Sequence, residues 1–225
     1  MRDRPDTLML FAAGRGTRMA PLTDHLPKPM VQVAGKPLID HALQLAHESG
    51  ISRIVVNTHY LSGIVESHLA NRNIHIIRET ELLETGGGLR NALPLLGPKP
   101  VLTLNSDAVW SSNPIPPLLD AWQSGEMDAL LCLIQPENAK GHKGGGDFLV
   151  DETGLLRRGA GAIYSGLQVI DTGYLQNIPE KVFSLNLVWD KIAEHGQLAG
   201  HIHPGNWCDV GQPQSIALAE GMLGV

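Results

Sequence analysis

The residues best suited to chemistry lie in a glycine-rich, basic segment near the amino terminus. Gly14 and Gly16 follow an apolar run, and two bases come after them, Arg18 and then Lys28, which stands between two prolines. Glycine lets a backbone approach a phosphate closely and turn consecutive N–H groups towards it. Arginine grips phosphate oxygens with paired hydrogen bonds, and lysine supplies a compact charge. The segment predicts a site for a phosphate-bearing ligand, although a surface loop with incidental bases has the same composition.

The distribution of charge supports a small anionic ligand. The chain carries a formal net charge of -6, which argues against a general binder of nucleic acid or of membrane surfaces. Its bases are nevertheless concentrated around the glycines, because stretch 10–38 contains a single acid, Asp24, and four bases, Arg15, Arg18, Lys28 and Lys36. We expect Lys36 to shape the loop and to lie outside the site.

Two common phosphate-binding patterns do not fit this segment. A dinucleotide-binding fingerprint requires a third glycine and a helix that opens at once, and neither follows Gly16. The phosphate loop of P-loop enzymes requires Gly-Lys-Ser or Gly-Lys-Thr, which does not follow either. A nicotinamide-binding protein is therefore a poor alternative.

Two aspartates are candidate ligands of a metal ion. Asp107 comes just after an apolar stretch, 101–105, and Asp209 lies between Trp207-Cys208 and Val210-Gly211. Mg²⁺ prefers a few carboxylate oxygens together with substrate phosphates. An aspartate after a strand is also a common turn or cap residue. The residues alone leave both interpretations open.

The elements that must position these groups alternate between strand and helix in the first half of the chain. Strands are expected at 7–13, 51–57, 74–77 and 101–105, and helices at 38–48, 62–69 and 88–95. The second half is less regular, with helices at 115–123, 184–195 and 213–223, strands at 129–134, 162–170 and 198–203, and a hairpin at 147–158. This α/β pattern predicts a parallel sheet with helices on both faces, whose ligands bind beyond the carboxyl ends of the strands.

The glycine-rich segment resembles the signature of the sugar-phosphate nucleotidyltransferases. The matching residues are Met9–Met19, Pro21–Thr23 and Pro27–Pro29. The resemblance implies a Rossmann-like mixed, mostly parallel sheet. It also implies that Arg18 holds the departing phosphates and Lys28 the reacting ones. The residues that would bind the nucleotide are Ala12, Ala13, Gly14, Gly16 and Thr17.

Two further elements resemble the same family and carry the aspartates. Stretch 105–110 is similar to its Asn-Gly-Asp-Val-Trp element, and stretch 207–213 to its Trp-x-Asp-Val-Gly-Thr-Pro element. The resemblance implies that Asp107 and Asp209 bind Mg²⁺. Ser106 and Ala108 depart mildly from the family pattern.

Stretch 84–88, Glu-Thr-Gly-Gly-Gly, resembles the uridylyltransferase-like branch of the family, especially members acting on N-acetylmuramic acid 1-phosphate. The backbone of Gly86 and Gly87 would then contact the base, with Glu79 accepting from the imide N–H of uracil. A glycine hinge that merely starts a helix is equally compatible with these residues.

By the same resemblance Asp147, Tyr164 and Gly166 would bind the sugar phosphate, although the first two also suit a hairpin cap and a core aromatic. We expect His59 to pack, and Lys143 to be solvated or to reach a phosphate.

The resemblance implies transfer of a uridylyl group from UTP to a sugar 1-phosphate, most simply N-acetylmuramic acid α-1-phosphate, with release of pyrophosphate. Alternatives are mannose, glucose or heptose 1-phosphate with GTP, CTP or dTTP, or a catalytically silent nucleotide-sugar sensor. The expected partners are these small molecules alone, with no nucleic acid or membrane, for a monomer or homodimer.

The remaining expectations concern organisation. We expect residues 1–225 to form one catalytic domain without the left-handed β-helix domain that some relatives carry. We expect no secretory signal, because the amino-terminal residues lack an apolar segment before a small-residue cleavage site. Cys132 and Cys208 show no metal-ligand spacing and are expected to be reduced thiols in the cytoplasm.

Overall fold

The computed structural model describes residues 4–97 and 100–225. The prediction that no secretory signal is present rests in part on residues 1–3, which lie outside these ranges. The six described α-helices are α1 Leu38–Glu48, α2 Ser62–Leu69, α3 Glu84–Leu96, α4 Ile115–Ala121, α5 Leu185–Glu194 and α6 Gln214–Leu223. The described strands are β1 Thr7–Phe11, β2 Gln32–Val33, β3 Lys36–Pro37, β4 Arg53–Thr58, β5 His75–Arg78, β6 Val101–Asn105, β7 Ala108–Trp110, β8 Ala129–Ile134, β9 Ala139–Lys140, β10 Phe148–Val150, β11 Leu156–Arg158, β12 Ile163–Ile170, β13 Leu198–His203 and β14 Trp207–Asp209. No helix in these two described ranges is both long and apolar enough to cross a membrane.

The centre of the fold is a seven-stranded sheet with the order β13-β8-β12-β6-β1-β4-β5. Strand β12 runs antiparallel to its neighbours β6 and β8, and the other pairs are parallel. The predicted mixed, mostly parallel sheet is therefore confirmed. The carboxyl ends of β1, β4 and β6 lie side by side, because β1 pairs with both other strands.

Helices cover both faces of this sheet, as the alternation of side chains in β1 shows. Leu8 and Leu10 belong to a buried cluster with residues of α1, α2 and α4. Met9 points to the opposite face and is buried with residues of α3 and α5. Burying apolar side chains on both faces fixes the sheet between two helical layers, so the strand ends have little freedom to move.

A second, three-stranded sheet with the order β7-β14-β9 was not predicted. Strand β14 runs antiparallel to β7, with Asp209 opposite Ala108, and Val210 N donates to the Asp107 carbonyl oxygen at 3.0 Å. Behind this sheet, Val109, Cys208 and Val210 are buried in a cluster with Ala219 of α6. The small sheet therefore brings Asp107 and Asp209 together.

Candidate active site

Three adjoining cavities open where β1, β4 and β6 end. The loop cavity, of about 290 Å³, is lined by Phe11, Ala12, Ala13, Gly14, Lys28, Pro29, Asn57, Glu79, Leu82, Glu84, Thr85, Asn105, Ser106 and Asp107. The carboxylate cavity, of about 460 Å³, is lined by Arg18, Asn105, Asp107, Gly141, His142, Lys143, Gly144, Tyr164, Ser165, Gly166, Trp207, Asp209, Gly211 and Gln212. The aromatic cavity, of about 240 Å³, is lined by Phe11, Thr85, Asn105, Asp147, Phe148, Arg158, Tyr164, Ser184, Leu185, Asn186 and Trp189. Because each cavity shares lining residues with the other two, they form one cleft.

Asn105, the last residue of β6, lines all three cavities. Gly166 of β12 lies against it with a φ of +87°, and a Cβ atom at Gly166 would lie 2.7 Å from Asn105 Nδ2. Gly166 therefore serves the site by letting β12 pass close to Asn105, since any larger residue would displace the amide. Sequence reasoning did not assign Asn105 to the site, although its position at the end of a predicted strand could have indicated it.

The end of β1 is held by a chain of hydrogen bonds. Ala12 N donates to Asn57 Oδ1 at 2.9 Å, and Asn57 Nδ2 donates to Glu79 Oε1 at 2.7 Å. Glu79 is only 4% exposed, and its other oxygen accepts from Leu83 N at 3.3 Å. The bonds that Glu79 makes in the protein thus orient Asn57 and the loop, and its predicted contact with uracil stays a prediction.

Lys28 is packed closely against the glycine-rich loop. Gly16 has a φ of +64°, and a Cβ atom there would lie 2.7 Å from Lys28 Cβ. Lys28 is 8% exposed, so its aliphatic stem is buried, and the residue lines the loop cavity. Thr17 is exposed and does not line the described cavities.

Two acids and two bases surround the carboxylate cavity and its border with the loop cavity. Lys28 Nζ donates to Asp107 Oδ2 at 2.6 Å, and Arg18 lines the carboxylate cavity with both aspartates. Burial and the neighbouring charge of Asp107 raise the pKa of Asp209, while Lys28 and Arg18 oppose that shift. The two carboxylates are therefore close enough to repel each other.

These two carboxylates suit a magnesium ion. Mg²⁺ in phosphoryl-transfer sites is typically held by one or two protein carboxylates, the remaining ligands being water and substrate phosphates. Within residues 4–97 and 100–225, no group of three or more His, Cys, Asp or Glu side chains is placed to hold a metal without substrate. A bound divalent cation would also relieve the repulsion between Asp107 and Asp209.

Gly86 and Gly87 do not present free backbone donors to the cleft. Helix α3 begins at Glu84 rather than at residue 88, and the N–H groups of Gly86 and Gly87 both donate to the Phe183 carbonyl oxygen, at 2.9 and 3.0 Å. A Cβ atom at Gly87 would lie 2.6 Å from the Lys181 carbonyl oxygen. These two glycines therefore let α3 pack against the 181–183 segment.

Two of the predicted sugar-binding residues, Asp147 and Tyr164, line the aromatic cavity, whereas the third, Gly166, lines the carboxylate cavity. Asp147 Oδ2 accepts from Tyr164 N at 2.8 Å. The ring of Tyr164 packs edge-on against Trp189, with centroids 4.7 Å apart, and Phe148 packs against Trp189 at 6.0 Å. Asp147 and Tyr164 therefore lie together beside the aromatic side chains of Phe148 and Trp189.

The two residues left open by the sequence have protein partners. His59 Nδ1 lies 3.0 Å from the Glu79 carbonyl oxygen, and His59 does not line the described cavities, which fits the expected packing role. Lys143 lines the carboxylate cavity and donates to Gln212 Oε1 at 2.8 Å.

Both cysteines should be dispensable for activity. They are buried and free, and burial raises the pKa of the Cys208 thiol to about 11 and that of Cys132 to about 12. At neutral pH both are protonated and therefore poor nucleophiles and metal ligands. Cys132→Ser and Cys208→Ala should each retain most of the wild-type turnover, with thermal unfolding measured in parallel. A Cys208→Ala protein that keeps its Tm yet loses all activity would contradict this expectation.

Comparison with known proteins finds relatives of this chain. Residues 7–144 match the family described as nucleotidyl transferase. The chain is 36% identical to the N-acetylmuramate α-1-phosphate uridylyltransferase of Caulobacter vibrioides, over 99% of both chains. It is 33% identical to the enzyme of the same name from Neisseria meningitidis serogroup B, over 96% of this chain and 97% of that one. The inositol-1-phosphate CTP transferase of T. maritima shares the fold, with a TM-score of 0.78 and 16% identity over 99% of this chain and 96% of that one.

Proposed function

The chain belongs to the nucleotidyl transferase family, and from that we propose that it transfers the uridylyl group of UTP to N-acetylmuramate α-1-phosphate, releasing pyrophosphate and forming a UDP-sugar. The observation that carries the proposal is the convergence of Arg18, Lys28, Asp107 and Asp209 on one cleft beside the glycine-rich loop. The two full-length relatives favour uridine and N-acetylmuramate over the other bases and sugars of the family.

The proposed reaction is a single displacement. An oxygen of the sugar phosphate attacks the α-phosphorus of UTP, a new P–O bond forms, and the bond from the α-phosphorus to the bridging oxygen breaks in line as pyrophosphate leaves. The sugar phosphate is itself the nucleophile, so the protein has only to position the two substrates and neutralise their charge.

Each part of the cleft has a role in this scheme. The loop cavity, bounded by Ala12, Ala13 and Gly14, binds the nucleotide, and the aromatic cavity, with Asp147 and Tyr164, binds the sugar. Arg18 stabilises the departing pyrophosphate, because its guanidinium lines the same cavity as the carboxylates. Lys28 stabilises the phosphate under attack. In the protein without substrate, Lys28 instead compensates the charge of Asp107.

Asp107 and Asp209 would hold Mg²⁺, which when bound supplies positive charge shared between the triphosphate and the attacking phosphate. We further propose that the described residues act as one catalytic domain, and that the enzyme works in the cytoplasm in recycling of cell-wall sugars. This setting suits a substrate derived from N-acetylmuramate.

A screen of pyrophosphate release should identify UTP with N-acetylmuramate α-1-phosphate as the best substrate pair. The common nucleoside triphosphates are tested against N-acetylmuramate, N-acetylglucosamine, glucose and mannose 1-phosphates with Mg²⁺. Turnover of GTP with mannose 1-phosphate at a rate about tenfold higher, equivalent to about 1.4 kcal/mol, would refute the substrates but keep the reaction. No pyrophosphate from any pair would favour a nucleotide-sugar sensor.

A further inference from the structure

The aromatic cavity contains a guanidinium that the proposed transfer chemistry does not use. Arg158 lies on β11 of the β10–β11 hairpin, opposite Phe148. Its Cζ lies 4.8 Å from the ring centroid of Phe148 and 5.5 Å from that of Trp189. Both rings line the cavity. Cation–π contact with two aromatic rings holds the guanidinium at the cavity wall.

One end of this guanidinium is bonded to the protein and the other is available. Nε and Nη2 of Arg158 donate to Asp190 Oδ1 at 3.1 and 2.9 Å, and Nη2 also donates to the Asn186 carbonyl oxygen at 3.4 Å. In the described part of the chain, Nη1 has no hydrogen-bond partner, and the Arg158 side chain is 43% exposed. Arg158 can therefore accept an anionic ligand without giving up its anchor.

The charges of the cavity indicate what that ligand is. Among the described residues that line the aromatic cavity, Asp147 and Arg158 are the charged ones. An uncharged sugar would need no cation here. A sugar bearing a carboxylate would be repelled by Asp147 unless a base lay nearby, and arginine is the base whose fork matches a carboxylate.

The position of the cavity fits such a ligand. It shares Asn105 and Tyr164 with the carboxylate cavity, where the phosphate of the sugar would be bound. A sugar whose phosphate lies there extends into the aromatic cavity, and its ring substituents reach the hairpin. N-acetylmuramate differs from N-acetylglucosamine by a lactyl ether that ends in a carboxylate.

We propose that Arg158 binds the lactyl carboxylate of N-acetylmuramate α-1-phosphate and selects it over sugar 1-phosphates without an acidic substituent. This inference rests on the proposed function. It adds a residue that determines the choice of sugar and takes no part in the transfer.

Arg158→Gln tests the proposal when both sugars are compared. Loss of a charge-assisted hydrogen bond should raise the KM for N-acetylmuramate α-1-phosphate by roughly 10- to 100-fold. The KM and kcat for N-acetylglucosamine 1-phosphate should stay unchanged. Arg158→Lys should recover only part of the loss, because an ammonium lacks the planar fork.

Arg157→Gln is the matched control. Arg157 is exposed and pairs with Leu149, so it points to the other face of the hairpin while its replacement removes the same charge. Arg157→Gln should leave the ratio of kcat/KM between the two sugars unchanged.

Each outcome decides the matter. An equal rise in KM for both sugars, or no rise, would overturn the assignment of Arg158. If Arg158→Gln does not fold, wild-type enzyme is tested with the carboxamide of the lactyl group, and an unchanged KM for this neutral analogue would overturn it. Failure of the proposed function looks different, because wild-type enzyme would then release no pyrophosphate from UTP and N-acetylmuramate α-1-phosphate.

Discussion

Asp107→Asn and Asp209→Asn should each lower turnover by roughly 10³-fold, equivalent to about 4 kcal/mol of transition-state stabilisation. Both carboxylates line one cavity, and a divalent ion held between them would neutralise the triphosphate and the attacking phosphate. The measurement is kcat for pyrophosphate release at saturating Mg²⁺ and substrates. Chelation with EDTA should abolish wild-type activity, and added Mg²⁺ should restore it.

The double variant distinguishes one shared ion from two independent effects. If both aspartates bind the same metal ion, loss of either one is enough to impair metal binding. The fold-loss of turnover in the double variant should then be much smaller than the product of the two single fold-losses. Fully multiplicative losses, or activity that survives EDTA, would show that Asp107 and Asp209 do not share a metal.

The two single variants should differ in stability although both lose activity. Burial and Asp107 raise the pKa of Asp209, so the charged Asp209 opposes folding at any pH above that raised value. Asparagine removes this charge, and Asp209→Asn should keep or raise the Tm. Asp107→Asn removes the negative charge that compensates the buried Lys28 ammonium and should lower the Tm. Equal and large losses of Tm would mean that the activity losses reflect unfolding.

Lys28→Met should lower turnover by roughly 10²- to 10³-fold, because one preorganised charge on the transferring phosphate is lost. Methionine retains the buried stem that packs against Gly16, and Asp107 keeps access to water since its side chain is 31% exposed. The fold should therefore survive, as near-UV circular dichroism can show. The measurement is kcat with UTP and N-acetylmuramate α-1-phosphate at saturating Mg²⁺.

Lys36→Met is the matched control for this variant. Lys36 lies on β3, bonds Gln44 and does not line the three cavities, so its removal should leave kcat unchanged. Near-normal kinetics of Lys28→Met would show that Lys28 only packs the loop. A similar loss in both variants would point to a general effect of charge.

Local sequence determined much of the fold. Helix α1 begins and ends where expected, at Leu38 and Glu48, because Pro37 and Gly50 act on the backbone beside them. Strands β6, β8 and β13 also have the expected bounds, and the apolar runs of β6 and β8 are buried within the sheet. The glycine-rich motif also predicted the family to which the chain belongs.

Local sequence failed where a distant segment decides the conformation. The glycines of 86–88 indicated a loop before the helix, whereas α3 already begins at Glu84. The Phe183 carbonyl oxygen accepts from Gly86 and Gly87, and this acceptor lies almost a hundred residues away. Helix propensity is a weak prior that such a tertiary contact overrides.

The sequence alone predicted Arg18, Lys28, Asp107 and Asp209 as site residues, because each is a charged residue within a motif of the family. Only the tertiary structure decided how these groups meet. Asp107 follows β6 of the central sheet, whereas Asp209 ends β14 of a separate small sheet, opposite Ala108. The sequence prediction also left out Asn105, at the junction of the cavities, and Arg158, beside the aromatic rings. Their positions depend on pairings between β12 and β6 and on the packing of α5 beneath the hairpin, and contacts across such distances leave no periodic signal along the chain.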